Sequence, residues 1–113
     1  MKKIILITGG ERSGKSSYAE RLAHELTASP VYIATAKIWD EEFRKRGPEW
    51  TNIEEEKELS RHDIAGRVAV IDCVTLWCTN YFVELQDVTL ALEALKREFD
   101  RFTAQEATFI FVT

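Results

Sequence analysis

Apolar residues in this chain come in short unbroken runs, separated by stretches that follow a helical period. Residues 3–8 carry Ile4-Ile5-Leu6-Ile7 with no polar alternation, which predicts a strand buried on both faces. From Lys15 to about Thr27 the pattern is helical. Tyr18, Leu22 and Leu26 recur at i, i+4 and i+8 with Ala19 and Ala23 beside them, while Ser17, Glu20, Arg21 and Glu25 fall on the other side. Ser29-Pro30 breaks this helix, and Val31-Tyr32-Ile33-Ala34 reads as a second short buried strand. Strand, helix and strand in so short a span form a βαβ unit, whose strands are expected to be parallel and its crossover right-handed.

Beyond Ala34 the chain turns polar. Asp40 to Arg46 reads as a short helix ended by Gly47-Pro48, and Trp50-Thr51-Asn52-Ile53 as an extended piece. Glu54 to Leu59 is a run of acidic helix formers, and Arg61 to Arg67 is a loop with Gly66 as its breaker. Val68-Ala69-Val70-Ile71-Asp72 is the third buried strand and ends in a carboxylate. Leu76 to Leu85 is predicted helical. Asp87 caps a further helix in which Val88, Leu92, Leu95, Phe99 and Phe102 form the apolar stripe and Glu93, Lys96, Arg97 and Asp100 point outward. A strand-like run, Thr108 to Thr113, follows. Neither a linker nor a repeat divides the chain, so residues 1–113 are expected to form one domain. Alternating strands and helices predict the α/β class with a mainly parallel sheet flanked by helices.

The first strand and helix are joined by Gly9-Gly10-Glu11-Arg12-Ser13-Gly14-Lys15-Ser16, spaced G-x-x-x-x-G-K-S. In this strand–loop–helix setting the pattern is a phosphate-binding loop, which makes the expected fold P-loop NTPase-like. Backbone N–H groups of such a loop surround a nucleotide phosphate, and the helix N-terminus adds partial positive charge. Lys15 would reach the β- and γ-phosphates, and the Ser16 hydroxyl would help to hold Mg²⁺. Asp72, ending a buried strand on the same sheet edge, is the candidate second ligand of that ion, with a helix cap as its alternative reading. Thr35-Ala36-Lys37 follow the second strand at the same edge, within reach of the nucleotide or acceptor, and spacing alone does not decide whether they touch it. Arg12 meets an anionic acceptor or is solvated, and spacing alone leaves both open.

Composition narrows the partners. A net charge of −4 lacks the basic footprint of a non-specific nucleic-acid binder. No apolar run approaches the length of a membrane span, and no signal peptide is recognisable behind Lys2-Lys3. Cys73 and Cys78 have no metal-ligand partners nearby and read as reduced core thiols, so a cytoplasmic setting is expected. His24 falls on the polar face of the first helix, and His62 sits in a charged loop as a solvated or locally paired side chain. Neither makes a recognisable catalytic arrangement. Trp50, Trp77, Tyr81 and Phe82 read as core or interface. These features alone admit a P-loop NTPase, a kinase for some small alcohol, or a non-catalytic GTP-binding module.

Larger motifs favour one family. The loop with Ala19-Glu20, then Tyr32-Ile33-Ala34-Thr35-Ala36 with Asp40-Glu41-Glu42, then Trp50 with Glu54, and Asp72-Cys73-Val74-Thr75-Leu76-Trp77 with Thr79-Asn80 occur in that order. Together they resemble the bifunctional adenosylcobinamide kinase/adenosylcobinamide-phosphate guanylyltransferases of cobalamin biosynthesis. The resemblance implies phosphorylation of adenosylcobinamide by ATP or GTP. It also implies attachment of GMP to the adenosylcobinamide phosphate through a covalent histidine–GMP intermediate. It places nucleotide contacts on Gly9 to Ser16, on Thr35, Ala36 and Lys37, on Glu54 and on Asp72, and implies a homo-oligomer, commonly a trimer.

The chain departs from that family in two places. Members carry the nucleophilic histidine between the Asp-Glu-Glu segment and the tryptophan, yet here Phe43-Arg44-Lys45-Arg46 runs straight into Gly47-Pro48-Glu49-Trp50. Members also continue beyond the position of Thr113 with a glycine-rich loop and further elements. The resemblance therefore predicts that these 113 residues lack a loop near 46/47 and a C-terminal part. Intact mass of the natural protein is expected above 13.0 kDa, and a measured 13.0 kDa would reject this expectation.

Overall fold

The computed structural model describes residues 2–10, 14–36 and 46–113. Five strands, β1 (Lys3–Ile7), β2 (Val31–Ala34), β3 (Thr51–Glu54), β4 (Val68–Asp72) and β5 (Thr108–Val112), form one sheet in the order β1-β5-β4-β2-β3. Every pairing is parallel, so the α/β class with a parallel sheet stands. Among the described residues the helices are α1 (Lys15–Leu26), α2 (Val74–Leu85) and α3 (Val88–Phe102), with a 3-10 turn at Leu59–Arg61. β1 and β2 are parallel, as the βαβ pattern predicts, but β5 and β4 lie between them.

Alternation along the strands divides the core in two. Tyr32, Ala34, Val70, Ile110 and Val112 pack on Ala19 and Ala23 of α1. Val31, Ile33, Ala69, Ile71, Phe109 and Phe111 face Trp77 and Tyr81 of α2 and Ala91 and Phe102 of α3. Phe102 meets Phe109 edge-on at 5.1 Å, and Phe99 lies 5.5 Å from Phe111. No helix among the described residues is long and apolar enough to cross a membrane.

Burial departs from the sequence expectation in three elements. β1 is an edge strand and is not fully buried: Ile4 and Leu6 are 47% and 59% exposed, while Ile5 and Ile7 pack toward the α1 layer. The α2–α3 layer packs on β2, β4 and β5, so burial on both faces is reached only there. On α1 the fully buried residues are Ala19 and Ala23, with Tyr18 and Leu26 at the exposed margin. Small residues facing the sheet bring the helix axis close to it. On α3, Leu95, Phe99 and Phe102 pack inward as expected, but Val88 and Leu92 are exposed and Ala91 takes the inward place.

Local chemistry explains the element boundaries. The Glu54–Leu59 run forms no α-helix: Glu54 ends β3, and the Glu55 carboxylate accepts the backbone N–H of Lys57 and Glu58, turning the chain. Cys73 caps α2, its Sγ accepting from Leu76 N, so the helix starts two residues before the predicted Leu76. Glu98 is buried on α3 because its carboxylate accepts both the N–H and the hydroxyl of Ser60. The short helix expected at Asp40 to Arg46 falls almost entirely outside the described residues. Asp87 caps α3 as predicted, with Oδ1 accepting from Leu90 N at 2.9 Å. Asp87→Ala is expected to lower stability by about 1 kcal/mol in urea unfolding.

Candidate functional site

The C-terminal ends of the strands share one row. Ile7, Val112, Asp72, Ala34 and Glu54 lie side by side in register. In-register side chains point to the same face, so Asp72 and Glu54 both face the α1 side with Ala34 between them. Among the described residues, the expected site residues Asp72 and Glu54 thus share one sheet edge, beyond the strand carboxyl ends where open parallel sheets hold ligands.

The loop enters α1 through Gly14, whose φ of +80° is left-handed backbone that suits glycine. The carbonyl of Gly14 accepts from Tyr18 N at 3.0 Å, and no side chain caps the helix. Among the described residues no side chain accepts from the first N–H groups of α1, which suits them to an anion. Lys15 Nζ donates to the carbonyl of Gly9 at 2.9 Å, folding its side chain back over the loop. Ser16 Oγ donates to Asp72 Oδ2 at 2.8 Å. That bond joins the helix to a strand end far away in sequence, and Cys73, not Asp72, serves as the cap of α2. Gly9 and Gly10 are exposed beside Lys15, whereas Glu11, Arg12 and Ser13 lie outside the described residues.

The tyrosine of β2 completes the arrangement. Tyr32 donates its hydroxyl to the same Asp72 Oδ2 at 2.6 Å. Burial above all, then this bond and the charge of Asp72, push the phenol well above its ordinary pKa, so Tyr32 stays a donor. The guanidinium of Arg46 lies 3.3 Å over the Tyr32 ring and its Nε donates to Glu20 Oε1 of α1 at 3.1 Å. Trp50 meets the ring edge-on and donates its indole N–H to His24 Nε2 at 3.0 Å. With Nε2 accepting, the neutral ring carries its proton on Nδ1. Glu49 Oε2 lies 3.3 Å from the same nitrogen.

Thr35 and Ala36 follow directly, with Lys37 outside the described residues. Thr35 is fully buried: its Oγ1 donates to the carbonyl of Cys73 at 2.8 Å and accepts the Cys73 N–H at 2.9 Å. Its side chain thus fastens β2 to the turn after β4, and Ala36, half-buried, is the next residue toward the edge. Asn80 of α2 donates to the carbonyls of Thr35 and Glu56, tying this corner to the second helix. Glu54 is exposed at the end of β3. Tyr32 and Asn80 received no role from the sequence. The signal for Tyr32 was its place two residues before Ala34, on the face of β2 that Asp72 shares.

An all-parallel sheet with this loop between its first strand and helix, and a carboxylate bonded to the helix from another strand end, is a P-loop NTPase-like domain. Its family follows from comparison with known proteins. The chain belongs to the family described as CobU, cobinamide kinase/cobinamide phosphate guanyltransferase, whose pattern matches residues 5–113. The chain is similar to the bifunctional adenosylcobalamin biosynthesis protein CobP of Pseudomonas aeruginosa PAO1. Identity is 45% over 87 residues, covering 66% of this chain and 50% of that protein. It is also similar to the bifunctional adenosylcobalamin biosynthesis protein CobU of Escherichia coli K12, with 39% identity over 89 residues, 68% of this chain and 49% of the relative. The protein of the same name from Salmonella typhimurium LT2 is 34% identical over 94 residues, 73% and 51% of the two chains. The chain therefore spans about half the length of the curated relatives it matches.

A second pair of titratable groups lies just past β3. His62 Nε2 is 2.9 Å from Glu55 Oε1, so this histidine is locally paired, as expected. Burial alone would raise the Glu55 carboxyl, but bonds from His62 and from the N–H groups of Glu58 and Lys57 outweigh it and hold it below its ordinary value. A carboxyl depressed in the fold stabilises at any pH above its unfolded value and loses that contribution as pH falls through the folded one. Glu55→Gln is expected to flatten the acid limb of the stability–pH curve, measured by urea unfolding from neutral pH downward. An unchanged limb would reject this role.

Proposed function

We propose that the protein phosphorylates adenosylcobinamide with ATP or GTP and, with a nucleophile from outside these 113 residues, transfers GMP from GTP to the resulting phosphate. The observation that carries the first step is the bond from Ser16 Oγ to Asp72 Oδ2 at the ligand edge of the sheet. A hydroxyl and a carboxylate side by side are hard oxygen donors that fit Mg²⁺, with its other positions left to water and phosphate. Bound there, the ion would supply positive charge against the β- and γ-phosphate oxygens.

The remaining tasks fall to the chain. Backbone N–H groups from Gly9 to Ser16 cradle the phosphates. Lys15 exchanges the Gly9 carbonyl for phosphate oxygens, a short swing for a flexible ammonium already lying over the loop. Ala36 and Glu54 stand along the same edge as nucleotide or acceptor contacts, Lys37 is assigned the same role from its place in the sequence, and Thr35 holds that edge in register. Phosphoryl transfer asks for positioning and charge stabilisation rather than a covalent partner, and this constellation supplies both.

GMP transfer through a covalent intermediate needs a nucleophile. The two histidines here are engaged elsewhere, His24 with Trp50 and His62 with Glu55, and we give neither that role. We assign the step to residues that the relatives carry and this chain lacks. In support, the aligned stretches are longer than the part of this chain they take up, 87 residues against 66% of 113 in the P. aeruginosa comparison.

Labelled GTP tests both steps. Label from the γ-phosphate is expected in adenosylcobinamide, and Lys15→Ala should lower that transfer by roughly a hundredfold or more. Near-normal turnover in the variant would reject the role of Lys15, and phosphate release independent of the corrinoid would favour a simple NTPase. With α-labelled GTP this chain is expected to take up no acid-labile label, and labelled protein would overturn the assignment of the guanylyl step.

A further inference from the structure

We propose that Tyr32 is the positioning residue of the cation site, orienting the Asp72 carboxylate and obliging Ser16 to present its oxygen lone pairs outward. This inference rests on the reading of Ser16 and Asp72 as cation ligands. Asp72 Oδ2 accepts two donors from different elements, Ser16 of α1 at 2.8 Å and Tyr32 of β2 at 2.6 Å. Among the described residues nothing donates to the other carboxylate oxygen, Oδ1. Rotation of the carboxylate breaks both bonds at once, so the pair of donors fixes its plane more firmly than either alone.

The direction of the Ser16 bond matters as much. A serine hydroxyl has one proton and two lone pairs. A carboxylate accepts only, so with the proton committed to Oδ2 both lone pairs remain for a cation. Tyr32 is suited to sharing Oδ2 because it has no freedom of its own. It is 6% exposed, with the Trp50 edge against one side and the Arg46 guanidinium 3.3 Å from its ring centre. Arg46 is in turn tied to Glu20 of α1, so the ring is clamped by the helix whose serine it serves. Partners that orient a metal-binding carboxylate in this way commonly affect metal affinity by about tenfold or more.

The test uses the full-length protein and Tyr32→Phe, which keeps the ring and removes the donor. Two readouts are Mg²⁺ titrations, of fluorescent GTP analogue binding and of phosphoryl transfer to adenosylcobinamide. Tyr32→Phe is expected to raise the half-saturating Mg²⁺ concentration by roughly tenfold while leaving nucleotide affinity without Mg²⁺ unchanged. Asp72→Asn should raise it too, and adding Tyr32→Phe to that variant should change nothing further, because the tyrosine acts through the carboxylate. An unaltered Mg²⁺ titration in Tyr32→Phe would overturn the proposal, as would full additivity in the double variant, which is what a packing role alone predicts. Wild-type protein whose nucleotide binding ignores Mg²⁺ would instead overturn the reading of Ser16 and Asp72 as ligands, and the role of Tyr32 with it.

Discussion

One carboxylate oxygen holds the candidate site together. Asp72 Oδ2 accepts one hydrogen bond from the first helix and another from the second strand, so three elements converge on one acceptor. A hydrogen bond to a charged group contributes more than one between neutral groups, and two on one oxygen make its orientation hard to change. Without this bond α1 would still cover the sheet through Ala19 and Ala23, but nothing described would set the position of Ser16 against the strand ends.

The rest of the fold serves to bring those groups within reach. Parallel register puts Asp72, Ala34 and Glu54 in one row on one face. The alanines of α1 let its first turn come close enough for a short serine side chain to bridge to the sheet. Thr35 locks the turns after β2 and β4 by pairing with both backbone groups of Cys73, and Asn80 carries that restraint into α2. On the opposite face, aromatic packing of Phe99 and Phe102 against Phe109 and Phe111 anchors α3 away from the ligand edge. Bulk sits on one side of the sheet and polar precision on the other.

Family membership gives this arrangement a chemical context, and the chain's extent qualifies it. The stretch matched by the family, residues 5–113, contains the loop, the strand-end carboxylate and the Thr35 turn. Both histidines are bonded through Nε2 away from the loop, His24 to Trp50 and His62 to Glu55.

Local rules made much of this protein legible from its residues alone. The phosphate-binding loop was readable because its glycines and Lys-Ser pair answer to backbone geometry within a few residues. Unbroken apolar runs announced β2, β4 and β5, and Asp87 announced the start of α3. Asp72 was legible as a carboxylate at a strand end, but not whether it capped a helix or faced the loop. Burial was misjudged where it depends on neighbours: β1 reads like a central strand yet lies at the edge, and Val88 and Leu92 fit the stripe of α3 yet face outward. Strand order, the shared acceptor of Ser16 and Tyr32, and the clamping of Thr35 were decided only by tertiary structure. Each is a contact between residues distant in the chain, and no local periodicity encodes which strand will lie beside which.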